Sequence, residues 1–384
     1  MRGKGEGSVA QDKKTGLWVA RLELPGANGE RRRLVKRSKD KAVAIKWLAE
    51  KRSDLGAHGD LPTNSMTLAQ WSEYWLEYIA AKRVRPNTLA GYKASFGHLN
   101  KSIGSIRIDK LTPAHVRRAE DGMLAAGLSP TTALLAHRTL AKSLSDALRE
   151  GRVQRLVTAL MDAPRKSSTE VGALTVDQAI RVVKLAAASL QAETYDQLPV
   201  LWATYLLTAC RRGEIIGLER DRIGNVIDIS WQLQRISKNA AVPNDYEARK
   251  IDGGLWWTRP KSRHGWRAIP AAPFASMLEK HLERSGSNPH GLVFAIDGKP
   301  IDPSYASALW KDWAEAHDMP CVTLHGLRHT TVDLLYELGV PEDIITELVG
   351  HSVRATTRGY KTPTKVARRE QATLALTERL GLTG

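Results

Sequence analysis

The spacing of apolar residues changes twice along this 384-residue chain, and those changes limit its fold more than any single motif does. From Leu17 to Leu24 apolar residues alternate, placing Trp18, Ala20, Leu22 and Leu24 on one face of a half-buried strand. Pro25-Gly26-Ala27-Asn28-Gly29 reads as a turn, and Glu30–Ser38 returns as a second strand. From Asp40 the period lengthens: Val43, Ala44, Trp47 and Leu48 recur at helical spacing until Gly56 stops them. After residues 59–65 the pattern is wholly helical. Thr67-Leu68-Ala69-Gln70 has the capping-box form, with Leu68, Trp71, Trp75 and Tyr78 lining one face. Further helix starts stand at Pro86-Asn87-Thr88, Thr112-Pro113 and Ser129-Pro130-Thr131, giving a four- or five-helix unit up to Leu160. The polar run Asp162–Thr169 breaks any helix and reads as a linker. Beyond it the pattern is mixed. Helices are predicted over Val176–Leu190 and Leu198–Ala209, strands near Val226–Leu233, Leu255–Arg259, Trp266–Pro270 and Leu292–Ile296, and helices from Pro273 onward. Residues 239–254 read as a surface loop, and Tyr305 and Tyr336 as core.

Charge narrows the partner. The chain carries 57 Lys and Arg against 41 Asp and Glu, a net +16, and residues 1–60 hold +7 of it. Much of that sits on the second strand, in Arg31, Arg32, Arg33, Lys36 and Arg37. A polyanion is the partner such a balance favours, nucleic acid above all. A basic β-ribbon can enter a major groove; the alternative is a solvated charged face on a small domain. With 42% apolar residues the chain can bury real cores, which excludes disorder as its main state. No apolar run reaches a membrane span and no signal-peptide core opens the chain, so an intracellular protein is expected. Two cysteines, Cys210 and Cys321, exclude a disulfide scaffold and a cysteine-only metal site. There is no P-loop sequence, no His-Glu-x-x-His, no Cys-x-x-Cys and no cluster of carboxylates, so neither a cofactor nor a metal is expected.

Four short stretches in the last unit remain. Thr208-Ala209-Cys210-Arg211-Arg212-Gly213-Glu214 ends an apolar helix in two arginines, and Arg259-Pro260-Lys261-Ser262-Arg263-His264-Gly265-Trp266-Arg267 is a polar turn between two strands. His325-Gly326-Leu327-Arg328-His329 opens a helix capped near Thr323, and Gly350-His351 precedes Tyr360 by a short polar stretch. Each alone is a common surface or packing pattern. In this order they resemble the tyrosine recombinase family, of the phage-integrase type, whose signature runs Arg, Lys, His-x-x-Arg, His or Trp, Tyr.

The resemblance implies a multidomain α+β chain of three domains: 1–60, a small three-stranded sheet plus helix binding arm-type DNA; 65–163, an all-helical core-binding domain; and 170–384, a mixed, mainly helical catalytic domain with a small antiparallel sheet. It implies that Arg211 and Arg328 clamp a phosphate, that Tyr360 attacks it to give a 3′-phosphotyrosyl link, and that Lys261, on a β-hairpin, protonates the leaving 5′-hydroxyl. His325 assists proton transfer and His351 bonds the phosphate. Arg263 rivals Lys261 and is otherwise expected to contact DNA, Arg212 contacts DNA or solvent, Glu214 orients an arginine, and His329 packs in its helix. The chemistry agrees with the residue types: arginine forks stabilise charge building on non-bridging oxygens without a metal, and a phenol of ordinary pKa ~10 needs neighbouring cations or a base. Two departures stand out, Ala209 for the usual Gly and Val349 for the usual Leu. The implied partners are double-stranded DNA with core-type and arm-type sites, three further copies in a tetramer at a Holliday junction, a host DNA-bending protein and an excision factor, in a bacterial cytoplasm at the nucleoid. The tail, with Ala367, Leu374, Leu376 and Leu380 in a helical pattern, docks on a neighbouring protomer or on its own domain. The rival readings are a type IB topoisomerase or telomere resolvase, and a DNA-binding regulator with the same fold and no catalysis.

Overall fold

The computed structural model describes residues 7–24, 32–58, 66–166, 172–237, 240, 242–243, 246–260, 266–350 and 363–382. The chain divides into two compact units, residues 1–168 and 169–384. The first unit holds two hydrophobic cores. In one, strands β1 (Ser8–Gln11), β2 (Trp18–Leu24) and β3 (Arg32–Ser38) form an antiparallel sheet with β2 central. Ala20, Leu22 and Leu24 are buried with Ala44 and Leu48 of helix α1 (Lys41–His58). The Asp40 carboxylate accepts from the Ala42 amide at 2.7 Å and so caps the helix start. α1 runs through Gly56, past the predicted stop, and turns Val43 to solvent. No alternation marks β1, a short edge strand.

The second core lies among α2 (Leu68–Tyr74), α3 (Pro86–Ile103), α4 (Pro113–Ala125) and α5 (Pro130–Arg149). The Thr67–Gln70 capping box is formed, and α3, α4 and α5 each begin on a proline whose missing N–H costs nothing there. Trp71 and Trp75 are fully buried, each withdrawing about 4–6 kcal/mol worth of apolar surface from water. A π-turn over Trp75–Ala80 follows α2. Its wider turn carries Ile79 inward and leaves Tyr78, predicted on the buried face, 52% exposed.

In the second unit, α6 (Val176–Gln191) packs on α7 (Leu198–Thr208), which is buried from Pro199 to Thr208 and forms its central helix. α8 (Arg212–Ile216) follows at once. The strands are β4 (Val226–Ile229), β5 (Gln232–Arg235), β6 (Ala248–Asp252), β7 (Leu255–Thr258) and β8 (Arg267–Pro270). Two expectations change here. β7 and β8 do not form a hairpin: β8 pairs with β4 and β7 with β5, so the connection between them spans two sheets. The 239–254 segment is more than a loop, because β6 adds a third strand at the edge of β7.

The remaining elements are α9 (Ala275–Ser285), the two-residue strands β9 (Ala295–Ile296) and β10 (Lys299–Pro300), α10 (Pro303–Ala316), α11 (Leu324–Glu337), α12 (Glu342–Val349) and α13 (Pro363–Arg379). Tyr305 and Tyr336, read as core, are 54% and 52% exposed, one on α10 and one on α11. The tail helix α13 packs on its own unit through Ala372, Leu376 and Leu380. Thr373 and Thr377 share that buried face, their hydroxyls satisfied by the carbonyls of Arg369 and Thr373 one turn back, whereas Ala367 and Leu374 face solvent.

Candidate active site

α7 ends in a residue of left-handed conformation, Ala209 (φ 47°, ψ 27°), which turns the chain sharply into α8. Arg211 stands at the start of α8, and its amide and its Nη1 each donate to the Glu214 carboxylate at 2.8 Å. Glu214 is 1% exposed and also accepts from Nη2 of Arg267, the first residue of β8, at 2.9 Å. Burial alone would raise the Glu214 pKa; the guanidinium of Arg267, then that of Arg211, holds it below the usual carboxylate value. α8 and β5 lie close enough that a Cβ at Gly217 would sit 2.6 Å from the Leu233 nitrogen and one at Gly213 would collide with the Leu233 carbonyl. Glycine at both positions is what lets the arginine-bearing turn rest on the sheet.

The C-terminus of α12 completes the cluster. Its last carbonyls have no partner within the helix, and three arginines take them. Arg267 Nε donates to Leu348 O at 2.7 Å, Arg328 Nη2 to Val349 O at 2.7 Å, and Arg211 Nη2 to Gly350 O at 2.7 Å. Gly350, with φ 70°, provides the turn that ends α12. Arg328, from the first turns of α11, also donates Nη1 to Ala209 O at 2.6 Å. The four segments thus meet through backbone carbonyls, and no metal cluster occurs among the described residues. Burial and the cations Arg211 and Arg267 push the Arg328 pKa down to about 10, which leaves it charged at neutral pH. Burial raises the Cys210 thiol, so it stays protonated beside Arg267.

Arg211, Arg212, His325 and Arg328 line one cavity of about 420 Å³, with Ser307 and Thr323 on its wall. The Thr323 hydroxyl caps α11 by accepting from the Gly326 amide at 3.1 Å, which presents His325 at the mouth of the cavity. Its pKa is lowered by desolvation and by His329, Arg328 and Arg211, so the imidazole is neutral at pH 7. His329 stands edge-to-face against it, ring centroids 4.7 Å apart. Arg212 Nη1 donates to Ser307 Oγ at 2.6 Å. Lys261, Arg263, His351 and Tyr360, like Arg31, lie outside the described residues.

Two features escaped the sequence. Arg267 is 7% exposed and joins Glu214 to α12, yet a single arginine in an alternating strand carries no motif. The second is a stack of alternating rings and guanidinium groups beside the cluster: Trp257, Arg249, Trp231, Arg259, Trp266, with guanidinium-to-centroid distances of 4.7, 4.5, 4.0 and 4.6 Å in that order. Each such contact contributes about 0.5–1 kcal/mol where water reaches it.

On β3 the pleat divides the basic residues. Arg33 and Arg37 point to the open face of the sheet with Val35 and with Arg21 of β2, while Arg32 and Lys36 share the side of Leu34, where α1 packs. The four described cations of β3 therefore do not form one surface.

The architecture and the cluster define an α+β protein with a small N-terminal sheet, a helical unit and a mainly helical unit built around convergent arginines. Residues 173–366 match the phage integrase family, and residues 67–124 match its N-terminal SAM-like domain. The chain is 26% identical over 394 residues to an integrase of Saccharopolyspora erythraea, covering 88% of each. It is 29% identical over 265 residues to the tyrosine recombinase XerC of Mycobacterium tuberculosis, covering 66% of this chain and 79% of the relative. Its fold is similar to that of lambda integrase in a tetramer bound to a Holliday junction, with TM-score 0.56, 17% identity and coverage of 92% and 98%. The chain belongs to the phage integrase family. It is a tyrosine recombinase, an enzyme of site-specific recombination.

Proposed function

We propose that this enzyme cuts and rejoins double-stranded DNA at attachment sites for the integration and excision of a mobile element. The observation that carries the reading is the convergence of Arg211, Arg328 and His325 on one cavity, held by the α12 carbonyls from which the chain leads to His351 and Tyr360. In this reading the scissile phosphate sits in that cavity, with the remaining N–H groups of Arg211 and Arg328 on its non-bridging oxygens. The Tyr360 oxygen forms a bond to phosphorus as the bond to the 5′-oxygen breaks, leaving a 3′-phosphotyrosyl link and a free 5′-hydroxyl. His325, neutral at pH 7, takes the phenolic proton, Lys261 donates one to the leaving oxygen, and His351 bonds the phosphate. The phosphodiester energy is kept in the tyrosyl link, so religation by a 5′-hydroxyl needs no nucleotide.

Residues 65–163 and 170–384 act as the core-binding and catalytic domains, and residues 1–60 bind arm-type sites through Arg21, Arg33 and Arg37 on the open face of the sheet. Four copies exchange strands pairwise through a Holliday junction, as the tetrameric fold relative suggests. A host bending protein and an excision factor set assembly and direction, in the bacterial cytoplasm at the nucleoid. Among the described residues no helix is long and apolar enough to cross a membrane.

Covalent capture tests the reading. Wild type and Tyr360→Phe are incubated with nicked duplexes drawn from DNA flanking the gene, denatured in SDS, and the attached DNA is sequenced. An adduct at one site, lost in the Phe variant, is expected. An adduct equal in both removes Tyr360 from its role, and site-independent relaxation of a plasmid would favour the topoisomerase reading.

A further inference from the structure

The Trp–Arg stack stands where the chain changes sheets. β4 and β5 are separated only by Ser230 and Trp231; β7 pairs with β5 as far as Thr258 opposite Gln232, and β8 pairs with β4 from Arg267 opposite Ile229. Arg259 and Trp266 are the residues just outside those pairings, and the Arg259 guanidinium stacks on both Trp231 and Trp266. They are also the two ends of the connection that carries Lys261. Trp257, Arg249 and Arg259 are each tied down by polar bonds. Trp257 Nε1 donates to Gly217 O at 2.8 Å, immediately after α8, the helix that Arg211 caps. Arg249, supplied by β6, and Arg222 both donate to Glu219 Oε2 at 2.8 Å. Arg259 Nη1 donates to Ser230 O at 3.2 Å, and Glu247 lies 3.6 Å from its Nε. On the other side of Trp266, Arg267 is fixed by Glu214 and Leu348 O.

We propose that this stack is a positioning device for the lysine. It joins both ends of the Lys261 connection to the α8 turn and so fixes the reach of the general acid relative to the Arg211 clamp. Trp231, Arg249, Arg259 and Trp266 act through Lys261, not by touching the phosphate. Arginine suits the role because its planar guanidinium stacks on two rings at once, which a lysine cannot do. The β6 strand then has a purpose: it brings Arg249 between Trp257 and Trp231. The inference rests on the proposed role of Lys261, and the test separates the two.

The full-length protein is given nicked duplexes whose leaving group is either the natural 5′-oxygen or a 5′-bridging sulfur, which departs as a thiolate and needs no proton. The variants are Trp231→Ala, Trp266→Ala, Arg259→Lys and Lys261→Ala, with DNA affinity and thermal unfolding measured for each. Arg259→Lys keeps the charge and is the variant least able to disturb folding. The stack variants are expected to cleave the oxygen substrate about ten- to a hundredfold more slowly, consistent with partial loss of general-acid catalysis. On the sulfur substrate they should return to within about threefold of wild type, and Trp231→Ala should add little to Lys261→Ala, as for residues acting as one unit. If Lys261→Ala is rescued by sulfur and folded stack variants are not, the positioning role is overturned. If Lys261→Ala itself is not rescued, the general-acid assignment fails first, and the positioning role fails with it.

Discussion

The buried arginines of the second unit and those of β3 are the same residue type in opposite surroundings. Arg328 is 3% exposed and Arg267 7%, and both are anchored by bonds, Arg267 to Glu214 and Leu348 O and Arg328 through one N–H each to Ala209 O and Val349 O, which leaves further N–H groups of Arg328 for a ligand. Arg33 and Arg37 lie open to water on the free face of a small sheet. A buried charge held by fixed acceptors keeps its geometry at any ionic strength; an open one attracts phosphate through counterion release and is screened by salt. In the proposed function Arg328, of the first kind, holds the reacting phosphate, and the second kind contributes to how tightly DNA is held. Substitutions in the two places should therefore have separable signatures.

The largest effect is expected at Arg267. Arg267→Ala leaves the Glu214 carboxylate buried without its main partner and should cost about 3–5 kcal/mol of stability in the second unit, read by urea unfolding. A loss under about 1 kcal/mol would mean that water or Arg211 replaces the guanidinium, and the contrast with β3 would collapse. The next concerns pH. Since the His325 pKa is lowered, its neutral form persists as pH falls through the ordinary imidazole range, and cleavage should decline only below about pH 6.5, up to tenfold per unit. His325→Gln should be slower and lack that limb of the profile, whereas a wild-type midpoint above 6.5 would contradict the direction of the shift. On β3, Arg33→Ala or Arg37→Ala should leave stability within about 0.5 kcal/mol of wild type and reduce the salt dependence of arm-DNA binding by about one unit of slope each. An unchanged slope at both positions would remove the open face from DNA binding.

The same contrast explains what could be read from the sequence. Arg211, His325 and Arg328 stand in local motifs, because a helix start fixes the spacing of the residues it presents, and the structure brings them to one cavity. Helix starts at Pro86, Pro113 and Pro130 were equally legible, since capping is decided within four residues. Partnerships across distant segments were not. Arg267 earns its place from Glu214 and Leu348, 53 and 81 residues away, and the Trp–Arg stack draws on β6, on β7 and on three residues just outside strands. Tyr78 is misplaced because a π-turn shifts the helical period by a residue; the tail helix is legible, and only part of its buried face differs, because threonines that satisfy their own hydroxyls can line it.

The smallest expected effect lies at Ala209, where the family usually has glycine. The residue adopts φ 47°, a conformation that costs an L-residue about 1–2 kcal/mol and glycine almost nothing. Ala209→Gly relieves that strain but exacts two penalties. It removes a buried methyl, worth roughly 0.8 kcal/mol, and frees the unfolded chain by about 0.5–1 kcal/mol. The terms nearly cancel, so the variant should unfold within about 0.5 kcal/mol of wild type. Arg328 bonds the carbonyl of this residue and not its side chain, so cleavage should be unchanged. A destabilisation above about 1 kcal/mol would show that the Ala209 methyl packs as core and that the strain is smaller than its φ implies. A gain of that size would show the reverse, that alanine here holds the turn under strain to present its carbonyl to Arg328.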